Sequence, residues 1–351
     1  MDWFPRRDAV SASRPAFTRR RLISLGLATT ALVLAAAPLP GLRRTLLVSV
    51  GSELEESFRR LEPAFERQEG AIDLRWQVEG SQDMVNNNLE ARTERPRVLI
   101  PADQDLLKQF AARVSALGQP PPFTAGPTPI ARTRLVALAW PERAQRLFAA
   151  GRFSWRRLRE AVAAGQWGAL GGPAAWGSFD LRATDPLRSN SGQLLLALWS
   201  QGPGDQTSFQ ALRRAIYRPA RSTDILLREF ISGGPNEGDL AFVYEAGARQ
   251  RAAEAAQRWP GGYRLLLPDP SIEVVPAAAV LKGAASGRPE DGERLVAFLT
   301  GPSGQEILRG AGYRQASDQV QGRDSQGIRL LPPPSQSERE ELLRRWQRAG
   351  D

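Results

Sequence analysis

The stretch Leu46-Leu-Val-Ser-Val-Gly-Ser-Glu53 has the pattern of a buried strand that ends in a Gly-Ser turn. The residues that follow, 53–67, place leucine and phenylalanine at helical spacing within a charged segment. A strand that passes into a helix through a short polar turn is the basic unit of α/β proteins. The same succession returns at residues 72–92 and 98–114. The sequence therefore predicts an α/β fold with parallel-type sheets and crossover helices.

The alternation of apolar runs and helical patterns continues to about residue 331. The simplest arrangement has two lobes, with a ligand cleft between them. The first lobe is assembled from residues 45–135 and 271–332, and the second lobe is the continuous segment 136–270. Residues 333–351 form a charged tail, in which 339–347 are predicted to be a solvated helix.

The N-terminal residues, 1–44, are expected to be an export signal or a membrane anchor. Arg19, Arg20 and Arg21 precede residues 22–42, which carry no charge, and this order resembles a twin-arginine signal. Small residues at 35–37 suit a cleavage site. An uncleaved anchor is the alternative, because the apolar run is long enough to span a bilayer. Both interpretations place the body in the periplasm or at the outer face of the cytoplasmic membrane.

Two residue types are absent from the 351-residue sequence, which contains neither Cys nor His. Thiolate nucleophiles, the commonest general base and the commonest transition-metal ligand are therefore missing. The sequence therefore predicts a protein that is not an enzyme, with no metal site and no cofactor. A carboxylate pair such as Asp103 and Glu245 is the remaining hydrolytic alternative.

The formal net charge of +9 does not indicate binding to nucleic acid. Eight arginines against Asp2 and Asp8 give residues 1–44 a charge of +6, which leaves +3 for the rest of the chain. Binding to a phosphate backbone requires a concentrated basic surface. We therefore expect no nucleic-acid partner.

Several short motifs follow one another along the body of the chain. They are residues 80–88, Val98-Leu-Ile-Pro-Ala-Asp103, Arg134-Leu-Val-Ala-Leu138, Asp185-Pro-Leu-Arg-Ser-Asn-Ser-Gly192, residues 239–245, Phe298-Leu299, Gly304-Gln305 and Gly312-Tyr313. The set resembles the molybdate- and sulfate-type periplasmic solute-binding proteins of ABC transporters. The resemblance implies a class II two-lobed periplasmic-binding-protein fold, with hinge strands crossing between the lobes at 135–140 and 274–282. It also implies an ABC-type permease as partner, a small-molecule ligand such as an oxyanion, and a monomer.

The same resemblance implies which residues contact the ligand. They are Ser52, Ser81 and Gln82 on the first lobe, and Ser191, Gly192, Thr223 and Tyr244 on the second. The physical chemistry of the turns agrees, because a helix N-terminus presents unpaired backbone N–H groups and a partial positive charge. Several such ends form a cradle for an anion. The alternative is that each serine caps its own helix.

Carboxylates beside these turns leave the charge of the ligand open. They are Glu53, Asp83, Asp103, Asp185 and Glu245. Unpaired, they would repel an oxyanion and suit an amine or a hard cation; paired with a nearby arginine, they would be structural. A tryptophan of the Gly-rich loop, Trp176, is a further candidate for stacking on a ligand. The alternative function is a membrane-tethered sensor or assembly factor with the same fold.

Overall fold

The structure is a computed structural model that describes residues 43–89, 95–149, 151–202, 205–216, 218–283, 286–318 and 322–350. From Arg44 onward the chain forms one compact unit. The predicted export segment lies almost wholly outside the described residues, so the twin-arginine signal and its cleavage remain predictions. Within the described ranges, no helix is both long and apolar enough to cross a membrane.

The described chain contains eleven β-strands and thirteen α-helices. The strands are β1 (Arg44–Gly51), β2 (Ile72–Glu79), β3 (Val98–Ile100), β4 (Thr128–Pro129), β5 (Thr133–Ala139), β6 (Leu181–Arg182), β7 (Leu240–Tyr244), β8 (Arg264–Leu266), β9 (Ser271–Val274), β10 (Ala277–Val280) and β11 (Leu330–Leu331). The helices are α1 (Glu55–Gln68), α2 (Ser81–Asn87), α3 (Gln104–Ala116), α4 (Pro141–Leu147), α5 (Trp155–Ala164), α6 (Asn190–Ser200), α7 (Gln206–Ala215), α8 (Thr223–Gly233), α9 (Glu245–Gln250), α10 (Ala252–Arg258), α11 (Pro289–Thr300), α12 (Pro302–Gly310) and α13 (Gln336–Arg348).

Two sheets define the two lobes. In the first lobe the strand order is β2-β1-β3-β10-β4, with β1 parallel to both of its neighbours and β10 antiparallel to both of its own. In the second lobe the order is β11-β9-β5-β7-β6, and β8 pairs with β5. The predicted two-lobed α/β fold is confirmed. The sheets are mixed rather than wholly parallel, because the strands next to the crossings run against their neighbours.

The chain crosses between the lobes twice. It leaves the first sheet at Pro129, the end of β4, and enters the second sheet at Thr133, the start of β5. It returns between β9 and β10 across Val275-Pro276. The stretch predicted as one hinge strand, 274–282, is therefore divided, because Pro276 has no N–H to donate to a ladder. As a result, Ser271–Val274 pairs in the second lobe, although the sequence places it in the first.

Each lobe has its own apolar core. In the first lobe, α1 buries Phe58 and Phe65 at helical spacing, and the ring of Phe65 meets that of Phe298 edge to face at 5.5 Å. In the second lobe, Trp155 of α5 stacks on Phe242 of β7 with ring centroids 5.6 Å apart. Burial of large apolar side chains is the main favourable contribution to folding. Both lobes therefore have the buried surface that an independent core requires.

Two helices of the second lobe, α5 and α7, begin at residues whose side chains cap them. The hydroxyl of Ser154 accepts a hydrogen bond from the backbone N–H of Arg157 at 3.3 Å, which caps α5. The carboxylate of Asp205 caps α7 through the backbone N–H of Ser208 at 2.8 Å. Serine and aspartate are preferred N-cap residues, so the sequence contains a start signal for each helix.

The C-terminal residues pack on the second lobe. Strand β11 pairs in parallel with β9, and α13 lies against α6 and α7. Leu342 and Trp346 of α13 are buried in the core of the second lobe. The predicted solvated helix is therefore an amphipathic one with a buried face, because its apolar side chains recur at helical spacing.

Candidate functional site

The predicted site residues are all buried at the ends of elements near the cleft. Ser52 begins the 3-10 turn after β1, Ser81 and Gln82 begin α2, Ser191 and Gly192 lie in the first turn of α6, Thr223 begins α8 and Tyr244 ends β7. These are the carboxyl ends of strands and the N-termini of helices, where ligands bind in open α/β sheets.

The two lobes touch at the start of α2. The side-chain Nε2 of Gln82 donates to Oε1 of Gln193 on α6 at 3.3 Å. Beside this bond, Nη2 of Arg188 approaches Oδ2 of Asp83 at 3.4 Å. Gln82, a predicted site residue, therefore contacts the opposite lobe directly, and the structure shows the cleft in a closed arrangement.

Ion pairs close another part of the cleft. Arg228 of α8 contacts Glu55 of α1 at 3.1 Å. Arg251 contacts Glu56 at 3.1 Å and Asp224 at 3.2 Å. Burial raises the pKa of Asp224, and the charges of the two arginines oppose that rise. Because the pairs to α1 join opposite lobes, they favour the closed arrangement, each by an amount typical of surface pairs, about 0–1 kcal/mol.

A cluster of hydroxyls holds the N-terminal turn of α6. The Oγ of Ser191 lies 2.8 Å from Oγ1 of Thr184, 2.8 Å from Oγ1 of Thr223 and 3.1 Å from Oγ of Ser189. A serine hydroxyl has one donor and two acceptor positions, so these contacts occupy all three. Two predicted ligand contacts, Ser191 and Thr223, are therefore bonded to each other.

Gly192 allows this turn to lie against the preceding loop. A Cβ atom at Gly192 would lie 2.7 Å from the carbonyl oxygen of Thr184 and 2.9 Å from backbone atoms of Pro186. Gly192→Ala is expected to lower the free energy of unfolding by about 1–3 kcal/mol, because the backbone must shift. Chemical denaturation measures this change, and Gly310→Ala, where a Cβ meets nothing within 4 Å, is the matched helical control. Equal stability of the two variants would contradict the close approach.

The serines of the site do not act as helix caps. The N-cap residues of the 3-10 turn, α2 and α6 are Gly51, Gly80 and Ser189, and none makes a side-chain capping bond. The Oγ of Ser81 instead accepts the backbone N–H of Ala102 at 3.0 Å, which ties α2 to the end of β3. Capping of their own helices therefore does not account for the burial of these serines.

Tyr244 and Arg339 are linked through Asn190. Nδ2 of Asn190 donates to the hydroxyl of Tyr244 at 3.1 Å. Nη1 of Arg339 donates to Oδ1 of Asn190 and to Oε1 of Gln193, both at 2.8 Å. Arg339 is only 3% exposed. The sequence interpretation misses this residue, because it assigns Arg339 to a solvated tail.

Three charged groups near Tyr244 each have a buried atom without a hydrogen-bond partner. The atoms are Oε1 of Glu53, Oδ2 of Asp103 and Nη2 of Arg339. All three residues influence the pKa of Tyr244 by their charge. Buried polar atoms are normally hydrogen-bonded. These three are among several such atoms in the described chain, and all three residues act on Tyr244.

Burial changes the protonation of the two acids. It raises the pKa of Glu53 to about 7 and that of Asp103 to about 7. Burial also raises the pKa of Tyr244 well above its usual value, and the charge of Glu53 adds to the effect. The phenol is therefore neutral and able to donate, whereas each carboxyl group changes charge near neutral pH.

The space enclosed beside Glu53 and Tyr244 is small. A cavity of about 20 Å³ is lined by Glu53, Thr223 and Tyr244, together with residues of α8 and α9. This volume is close to the minimum that holds one water molecule. A larger solute does not fit into this cavity in the present arrangement of the lobes.

Comparison with known proteins agrees with this architecture. The sequence model for bacterial extracellular solute-binding proteins matches residues 46–314. The chain belongs to this family. No curated protein matches the chain in a sequence comparison. The family members and the structural neighbours are binding proteins rather than enzymes.

Solved structures of other solute-binding proteins share the fold. The periplasmic binding protein AfuA from Actinobacillus pleuropneumoniae, with fructose-6-phosphate bound, has a TM-score of 0.63 and 16% identity over 87% of this chain and 98% of its own. The sulfate-binding protein SubI from Mycobacterium tuberculosis has a TM-score of 0.57 and 15% identity, covering 79% and 88%. Iron-bound HitA from Pseudomonas aeruginosa has a TM-score of 0.59 and 16% identity, covering 88% and 100%.

Two other carboxylates beside the predicted ligand turns of this solute-binding protein, Glu245 and Asp185, have structural partners. The carboxylate of Glu245 accepts hydrogen bonds from Nε of Arg134 at 2.7 Å and from Nη2 of Arg249 at 2.6 Å. Although burial acts in the opposite direction, these two arginines lower the pKa of Glu245. Oδ1 of Asp185 accepts the backbone N–H of Leu187 at 3.0 Å. Glu245 is thus bound on both sides, as expected of a structural carboxylate and not of a general acid.

Trp176 stacks inside the second lobe. The guanidinium carbon of Arg143 lies 3.5 Å from its ring centroid, and Trp167 meets it edge-on at 4.9 Å.

Across the described ranges, no group of three or more His, Cys, Asp or Glu residues is arranged to hold a metal ion.

Proposed function

We propose that this solute-binding protein captures a small anion, with oxyanions as the first class, between its two lobes and presents it to an ABC-type permease. The buried guanidinium of Arg339 is the observation that supports this most directly, because its Nη2 has no hydrogen-bond partner in the part of the chain that the structure describes. An anionic oxygen is the partner that a buried guanidinium prefers. A periplasmic location follows from the extracellular character of the family.

The neutral groups of the site are compatible with an anion. The hydroxyl of Tyr244 accepts from Asn190 and keeps its own hydrogen for donation. Glu53 and Asp103 are protonated below pH about 7, and a protonated carboxyl group donates a hydrogen bond instead of repelling an oxyanion. Two of the similar structures carry names that include sulfate or a sugar phosphate, which agrees with an oxyanion-type ligand.

Capture is proposed to occur by hinge closure. The lobes rotate about the two crossings, at 130–132 and 275–276, and the contacts of Gln82 and Arg251 across the cleft re-form when the lobes close. The solute shifts the open–closed equilibrium because it contacts both lobes only in the closed form. The closed form then docks on the permease, and no bond is made or broken.

Calorimetry tests the proposal with phosphate, sulfate and molybdate, followed by a series of amines and divalent cations. We expect binding of at least one oxyanion, and we expect Tyr244→Phe to weaken it by roughly 2- to 12-fold, the effect of losing one neutral hydrogen bond. Ser115→Ala, an exposed serine of α3, is the control and is expected to bind like the wild type. Binding of amines or cations alone, abolished by Glu53→Gln, would contradict the proposal.

A further inference from the structure

We infer that the C-terminal helix α13 completes the ligand site, and that Arg339 is the cation that binds the anion. This inference rests on the proposed function and adds a binding residue from a segment beyond the family match. The family match ends at residue 314, so α13 and the chain leading to it lie outside it.

Helix α13 is held firmly enough to place a side chain. Its start is fixed by a capping box in which the hydroxyl of Ser335 and the carboxylate of Glu338 bind each other's backbone N–H groups. Its far end is anchored by Trp346, which is 4% exposed. The guanidinium carbon of Arg213 lies 5.2 Å from the centroid of its ring. Sites carried on rigid elements hold their geometry better than sites on loops, so Arg339 has a defined position.

The contacts of Arg339 position its guanidinium and leave one nitrogen unused. Nε donates to the carbonyl oxygen of Pro334 at 3.0 Å, and Nη1 donates to Asn190 and Gln193. Nη2 is buried and has no hydrogen-bond acceptor among the described residues. A guanidinium fixed through two of its nitrogens, with the third free, is suited to a directional contact with an anion.

Within the described chain, Arg339 has no ion-pair partner, although an acid of the opposite lobe interacts with its charge. The charges of Arg339 and Asp103 act on each other's pKa, yet within the described chain no ion pair of 4.0 Å or less joins them. Oδ2 of Asp103 is buried and unpartnered as well. The charges of the two groups therefore interact across the lobes, and a protonated Asp103 does not repel an anion that binds to Arg339.

A second arginine of α13 provides the comparison for a test. Arg344 lies on the same helix, is 52% exposed and pairs with Glu341 at 3.0 Å. Arg339→Gln removes the charge and keeps a side chain that can bond to Asn190. Arg339→Lys keeps the charge and loses the planar fork.

The experiment measures the affinity of the full mature chain for phosphate, sulfate and molybdate by calorimetry, with the melting temperature of each variant recorded. For the oxyanion that binds the wild type best, Arg339→Gln is expected to weaken binding by roughly 10- to 100-fold, the effect of losing a hydrogen bond to a charged group. Arg339→Lys is expected to recover part of the loss, and Arg344→Gln is expected to match the wild type.

The outcomes separate the inference from the proposed function. If Arg339→Gln lowers the melting temperature but binds the oxyanion like the wild type, Arg339 contributes only to stability. The inference then fails while the proposed function stands. Tighter binding by Arg339→Gln would show that α13 occupies the site instead of completing it. Wild-type protein that binds none of the three oxyanions would contradict the proposed function, and the inference with it.

Discussion

Replacing Arg134 by Met is expected to lower the free energy of unfolding by about 3–5 kcal/mol, the cost of removing one partner from a buried ion pair. Arg134 is 4% exposed and lies at the start of β5, directly after the first crossing between the lobes. Its guanidinium contacts Glu245 at 2.7 Å and also contacts Asp324 and Gln326. Without Arg134, the buried carboxylate of Asp324 loses its ion pair with that guanidinium. The segment that leads to α13 also loses the contact that holds it beside the hinge.

Arg75→Met is the matched control for this change. Arg75 also lies on a strand and pairs with a carboxylate, Asp73, at 2.8 Å, but its side chain is 67% exposed. Exposed pairs contribute about 0–1 kcal/mol, so this variant is expected to remain near wild-type stability in a urea titration. If Arg134→Met unfolds at the same urea concentration as Arg75→Met, the buried ion pairs of Arg134 do not stabilise the hinge region.

The local pattern of the sequence predicts the lobes but not the division between them. The Gly-Ser turns after β1 and β2 and the apolar spacing of α1 are local signals, and the structure contains each of these elements. The break at Pro276 is also visible in the sequence, because proline interrupts a ladder. That its two sides join different sheets depends on long-range pairing, which local pattern does not specify.

The position of Arg339 has a partial signal in the sequence. Arg339, Leu342 and Trp346 are spaced by three and four residues, so they lie on one face of a helix. A charged residue on an otherwise apolar face is a candidate for burial with a specific partner. The partners, Asn190 and Gln193, are about 150 residues away in the chain, and no periodicity connects them to α13.

Which carboxylates form ion pairs also cannot be predicted from the sequence. Glu245 and Asp103 each follow a strand, and both are candidates for contact with a ligand. In the structure Glu245 is bound by two arginines, whereas the charge of Arg339 acts on Asp103 without an ion pair between them in the described chain. The difference arises from side chains brought together by folding, so residue type and spacing alone cannot distinguish the two acids.

Asp103→Asn is expected to stabilise the ligand-free protein at pH 8 and to leave its stability unchanged at pH 4. Burial raises the pKa of Asp103 from 3.8 to about 7. Between these values the folded state holds a proton that the unfolded state has released, so wild-type stability falls as pH rises. Each pKa unit corresponds to about 1.4 kcal/mol, which gives a loss on the order of 4 kcal/mol by pH 8. Asparagine has no such cost, and it retains the cap that Oδ1 provides to the backbone N–H of Asp105 at 3.2 Å.

Urea titrations of both proteins at pH 4, 6 and 8 measure the effect, and the difference in unfolding free energy should grow across this series. Glu53→Gln is expected to show the same direction with a smaller change, because the pKa of Glu53 rises from 4.5 to about 7. Asp269→Asn is the control, since this carboxylate is 39% exposed. A stability difference between Asp103→Asn and the wild type that is constant from pH 4 to pH 8 would show that Asp103 ionises at its ordinary pKa, and would leave the oxyanion site facing a permanent negative charge.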